Sequence, residues 1–155
     1  MNADFINPFL SSVSNVLATM AQTESQAGQL SLKEDATACG DISGIIGMSS
    51  PQGKGSFAIS FTEKVALAIT QRMLGEEHSE IDGTVTDLIG EVTNMSIGGA
   101  KQLLADTGYD FGLASPVVVR GKDHKIDHQS KKATLLIPFT SDAGEFFIEV
   151  NFEPA

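Results

Sequence analysis

The chain has 155 residues, of which 41% are hydrophobic and 19% charged, with 10 Lys and Arg against 20 Asp and Glu and a formal net charge of -10. This is length enough for one self-sufficient core, so a single domain over residues 1–155 is expected and a disordered chain is excluded. The acidic balance repels phosphate backbones and anionic lipid, which argues against nucleic acid and against a basic membrane anchor, and favours a partner that carries positive charge or its own metal ion.

The opening Met1-Asn2-Ala3-Asp4-Phe5 has no basic stretch leading into an apolar run and does not read as a signal peptide. The longest apolar runs, such as Ala133 to Phe139, are too short to span a bilayer. The lone Cys39 can form no intrachain disulfide. A cytoplasmic protein without membrane contact is therefore expected.

In chain order, Phe5, Phe9, Val13, Val16, Leu17 and Met20 fall at helical spacing over Asp4 to Met20, with Pro8 near the first turn, where a missing N–H costs little. Short apolar runs between Gln29 and Phe61 predict two or three strands. A hairpin should join Gly44–Met48 to Ser56–Phe61 through the turn-forming run Ser49 to Gly55. Ser60 and Glu63 have capping-box spacing ahead of a helix carrying Val65, Ala66, Ile69 and Met73, which Gly75 stops. After a polar connection, Thr84 to about Asp106 is the longest periodic segment, with Thr84 and Asp87 as a second capping pair. Tyr109 to Arg120 turns β-branched, Gly121 to Lys132 reads as a charged solvated loop, and Ala133–Phe139 with Glu145–Phe152 read as a hairpin. The second arm of that hairpin alternates between one buried face and one largely polar face, Phe147 excepted. The expectation is an α+β fold: about six mostly antiparallel strands, with three helices, two of them long, packed on one face.

On a wheel of about 100° per residue, Thr84–Asp106 gathers Val85, Leu88, Ile89, Val92, Met95 and Leu103 on one side. Asp87, Glu91, Asn94, Gly98 and Lys101 gather on the other. Glu91 and Asn94 are one turn apart and point the same way. Asn is a poor mid-helix residue, and Gly98 and Gly99 each cost about 1 kcal/mol there. This stretch gives up helix stability in the middle of the longest element. Close packing on the glycines would explain that, and so would a functional surface.

The run Asp87-Leu88-Ile89-Gly90-Glu91-Val92-Thr93-Asn94-Met95, followed at a distance by Pro116, resembles the signature of the CheC/CheX/FliY family of chemotaxis phosphatases. Ile97-Gly98-Gly99-Ala100-Lys101, Met73-Leu74-Gly75-Glu76-Glu77 and the opening Asn7-Pro8-Phe9 resemble its CheX branch, and only one E-x-x-N is present, as in single-site members. The resemblance implies a phosphatase that hydrolyses the phospho-aspartate of a phosphorylated CheY-type receiver domain. It implies that Glu91 pairs with the receiver's active-site lysine and that Asn94 orients the attacking water. It also implies a homodimer built through sheet edges, with Mg2+ on the partner receiver and no cofactor on this chain. Asp87, Gly98 and Lys101 would extend the partner-binding surface. Asp87 also has a capping reading, and Pro116 a structural one. Two other classes stay open: a non-catalytic receiver-binding or flagellar-switch-like module, and a small-molecule binder with a pocket between helices and sheet.

Other constellations carry less. Gly47 to Gly55 lacks the spacing of a phosphate loop. Asp123, His124, Asp127 and His128 have ligand types, but lysines surround them and no metal is expected there. His78 reads as solvent-facing and Cys39 as a small buried or half-buried residue.

Overall fold

In a computed structural model, which describes residues 3–155, α1 spans Ala3–Met20. Its apolar stripe buries Phe5, Ile6, Phe9, Val13, Val16 and Leu17, whereas Met20 stays exposed. Pro8 lies inside the helix rather than at its first turn. An interior proline costs about 3 kcal/mol. Burying each of these large side chains returns roughly 1.5–3 kcal/mol, so packing overrides the break.

Eight strands follow in one sheet: β1 Ser25–Ala27, β2 Ser31–Leu32, β3 Ile42–Ser50, β4 Gly53–Phe61, β5 Gly112–Leu113, β6 Val117–Arg120, β7 Thr134–Ser141 and β8 Gly144–Pro154. Every pairing is antiparallel, along the path β1-β7-β8-β4-β3-β5, with β2 also on β7 and β6 also on β3. The sheet is therefore larger than the six strands expected, because β1, β2 and β5 are too short to leave a period-2 signal. The β3–β4 hairpin runs to Ser50 and Gly53, so only Pro51-Gln52 turn, and Asp142-Ala143 turn between β7 and β8.

α2 (Glu63–Leu74) and α3 (Gly83–Ala105) fill the connection between β4 and β5. Thr62, not Ser60, caps α2, its hydroxyl accepting from Val65 N at 3.4 Å. Ser60 is buried in the sheet and engaged with Ser43 Oγ and Gly40 N. Gly75 ends α2 in the left-handed conformation, at φ 72°.

The helices cover one face of the sheet. Ile42, Ile46, Phe57, Ile59, Phe61, Ile137, Phe139, Phe146, Ile148 and Val150 meet α1, α2 and α3 in one cluster. Buried side chains fill the centre of this layer, and the concavity at its edge is lined by Phe5, Leu32, Tyr109, Leu135 and Phe152.

The opposite face is covered too, which corrects two sequence expectations. The stretch between β6 and β7 is not a solvated loop, and the polar side of β8 does not face water. Residues 33–40 and 121–133 run together across this face, joined by Ala38 N to His124 O, Ile126 N to Ala36 O and a bridge between Thr37 and Lys125. Beneath them Glu149, 1% exposed, accepts from Lys33 Nζ at 2.6 Å and from His128 Nε2 at 2.9 Å. His128 Nδ1 reaches Ser56 Oγ at 2.6 Å, and His124 Nε2 reaches Ser43 Oγ at 2.7 Å. Asn151, fully buried, accepts from Ser130 N and donates to Lys132 O. These histidines are bound as structural partners. Cys39 is exposed, not buried.

Candidate active site

The cap of α3 lies two residues earlier than its sequence pattern suggests. Asp82 is the N-cap, its Oδ1 accepting from Val85 N at 3.1 Å, so the Thr84–Asp87 capping pair does not form. Asp87 lies beyond the first turn and is exposed, and its capping reading falls. His78 is not solvent-facing. Its side chain is 13% exposed, and its Nδ1 stands 2.6 Å from Asp82 Oδ2. That hydrogen bond is the main reason the His78 pKa is raised above the usual 6.5, and it holds the Asp82 carboxyl below its usual range, helped by Val85 N–H.

The inward side of α3 is packed into the core. Val85, Leu88, Ile89, Val92, Ile97, Ala100 and Leu104 are buried; Leu104, not Leu103, takes the last core position, and Leu103 is 43% exposed. Thr93 is buried over β3, where Gly44 leaves it room: a Cβ at Gly44 would collide with the Thr93 side chain. Thr93 Oγ1 is satisfied by Ile89 O at 2.7 Å. On the α1 side, Ser12 Oγ donates to Ser96 O at 2.5 Å and fills the space that a side chain at Gly99 would need. Gly99 is thus a packing glycine. Gly44 and Ser12 hold α3 down on two sides, against β3 and against α1, and so fix the outward side.

That outward side carries Asp87, Glu91, Asn94, Gly98 and Lys101, all exposed, as the wheel expects. Among the described residues, none of the polar side chains in this stripe has a hydrogen bond or an ion pair. Glu91 and Asn94, three residues apart, bring their Cβ atoms to about 5–6 Å. The pair offers a carboxylate, which can only accept, beside a carboxamide, which can donate and accept at once. Such a pair can meet a cation and position a water molecule without adding charge at the water. Among the described residues, no three His, Cys, Asp or Glu side chains are grouped to hold a metal ion. Pro116 sits immediately before β6, half-buried. Among the described residues, no helix is long and apolar enough to cross a membrane. Sequence reasoning missed the supports of the site, Asp82, Thr93 over Gly44, and Ser12 under Gly99. Only the glycines signalled them, and they do not say which element approaches.

Residues 42–140 match the family model described as chemotaxis phosphatase CheX. None of the curated proteins matches the chain. Among solved structures, the chain is similar to a CheC-like superfamily protein from Shewanella sp. PV-4, with 54% identity over 99% of both chains and a TM-score of 0.92. It is similar to the chemotaxis protein CheX from Vibrio vulnificus, with 49% identity over 97% of this chain and 100% of that one, at a TM-score of 0.90. A complex of CheX with CheY, BeF3 and Mg2+ from Borrelia burgdorferi matches at 25% identity, over 98% of this chain and 99% of that one, with a TM-score of 0.81.

Proposed function

The chain belongs to the CheX family of chemotaxis phosphatases, and on that premise we propose that it hydrolyses the phospho-aspartate of a CheY-type receiver, with Glu91 and Asn94 entering the receiver's active site together. One observation carries this reading: two adjacent polar side chains of suitable chemistry stand exposed and unpaired on a helix whose other side is packed into the core. The Glu91 carboxylate pairs with the receiver's active-site lysine and fixes the orientation of docking. The Asn94 carboxamide holds a water in line with the phosphorus–oxygen bond to be broken. Water oxygen attacks phosphorus, the bond to the aspartate oxygen breaks, and inorganic phosphate and a free carboxylate result. No covalent intermediate on this chain is needed, and the rate gain comes from positioning.

The net charge of -10 fits this arrangement, because an acidic surface approaches a phosphorylated site only where the receiver's lysine and Mg2+ stand between. The related Borrelia complex contains CheY, BeF3 and Mg2+. Asp87, Gly98 and Lys101 extend the contact along the same stripe. The homodimer implied by family resemblance has an available surface at β6, which among the described residues pairs only with β3 and carries Val117 at 58% exposure. The reaction belongs where receivers work, in the cytoplasm.

The test is the lifetime of a phosphorylated CheY-type receiver with and without the protein. Acceleration by the wild type that disappears in Asn94→Ala supports the reading. No acceleration by the wild type, or equal acceleration by Asn94→Ala, overturns it. Phosphorylation-dependent binding with an unchanged lifetime would identify a non-catalytic interaction module instead.

A further inference from the structure

Three glycines lie in the interior of α3, and the structure gives them different surroundings. A Cβ at Gly99 would run into Ser12, so that glycine serves the α1 contact. A Cβ at Gly90 would sit 3.5 Å from Val118 Cγ2, an ordinary contact. A Cβ at Gly98 would meet nothing within 4 Å. Gly98 has no positive φ, is exposed, and closes no turn. Nothing in this chain gains from the missing side chain, while the helix loses stability through it.

The position of Gly98 supplies a reason. It is one helical turn beyond Asn94 and two beyond Glu91, in the same outward stripe. Between the Asn94 and Lys101 side chains it leaves a notch that reaches the helix backbone. We infer that Gly98 is a clearance for the receiver: a main-chain segment of the partner rides against the backbone of α3 here, and this close approach lets the Glu91–Asn94 pair reach its full depth. The inference rests on the proposed reading of the site and adds to it the kind of surface the partner presents: main chain or a small residue, not a bulky side chain. A methyl group at Gly98 would hold that segment off by a fraction of its own width, and misplacement on the order of 1 Å is enough to cost about a hundredfold in a reaction run on positioning.

The test is binding to a receiver activated with beryllofluoride and Mg2+, together with thermal unfolding of the unbound protein. Gly98→Ala should raise Tm by about 2–4 °C through helix propensity, yet weaken binding roughly tenfold through overpacking at the contact. Gly98→Leu should weaken it further. Gly90→Ala, which adds the same methyl group at the edge of the stripe but against Val118 of β6, should stabilise the helix and leave binding unchanged. Opposite signs for stability and affinity in Gly98→Ala alone support the clearance. Unchanged binding by Gly98→Ala overturns it. Equal weakening by both alanine variants also overturns it, by assigning the effect to helix stiffness, and a fall in Tm for Gly98→Ala does so by giving Gly98 a role inside the fold. If the wild type itself fails to bind, the functional reading fails and takes this inference with it; if the wild type binds, the two are judged separately.

Discussion

Two polar surfaces stand on opposite sides of this molecule, and they differ in how their hydrogen bonds are spent. On the face of the sheet away from the helices, Glu149, Lys33, His128, Ser56 and Asn151 are buried or half-buried and bonded to one another or to backbone. On the outward side of α3, Asp87, Glu91, Asn94 and Lys101 are exposed, with no such partners among the described residues. The first set is committed to the fold. The second is left over from it and held on a rigid support. Carboxylates and amides alone do not mark a site. What marks it is the combination of unspent polar groups and fixed position.

The sharpest way to break this contrast is at Glu149. Glu149→Ala leaves Lys33 buried without its counter-charge, and loss of one partner of a buried pair costs about 3–5 kcal/mol. Urea unfolding should show that loss, while the folded fraction keeps its effect on the receiver. A loss of activity at unchanged stability would refute the assignment of that face to structure. Asn94→Ala should do the reverse: acceleration falls by about a hundredfold, while the unfolding free energy changes by no more than about 0.5 kcal/mol.

A subtler effect lies between the two surfaces, at the start of α3. The folded pKa of His78 is raised above 6.5 by its hydrogen bond to Asp82, so the pair stabilises the fold fully below the unfolded value and loses that contribution as pH rises through the folded one. The Asp82 carboxyl is lowered, so its own contribution is present above its unfolded value and is lost as pH falls through the folded value. Tm should therefore decline as pH rises from about 6 through neutrality, and His78→Ala should flatten that decline. A wild type and variant with parallel profiles would remove His78 from the account. The smallest effect belongs to Asp87. With no cap to provide, Asp87→Ala should change stability by less than about 0.5 kcal/mol and weaken receiver binding less than any change at Asn94. A clear fall in Tm would restore a structural role.

Much of this was legible in the residues, and the failures have specific causes. The outward stripe of α3 could be read because a 3.6-residue period needs only local information. The two caps were each placed two residues off. Pairs such as Ser60–Glu63 and Thr84–Asp87 fit the capping spacing equally well, but a buried cross-strand bond had already claimed Ser60 and Asp82 came first. Leu103 and Leu104 are both apolar neighbours, and only the seating of α3 on α1 and the sheet decides which turns inward. The polar face of β8 was misjudged for a deeper reason: Lys33 and Glu149 are 116 residues apart, and no window of sequence contains both. Alternation says which residues share a face, but not whether the rest of the chain covers it.

The absence of internal partners for Glu91 and Asn94 bears on inheritance as well as chemistry. Since the fold asks nothing of these two positions, one base change at Asn94 would, on the proposed reading, remove the reaction and leave a stable protein that still docks. On that reading, a lineage built on this scaffold would pass between enzyme and silent binder without crossing an unfolded intermediate. Loss of trade, in such a protein, would leave no scar in its architecture.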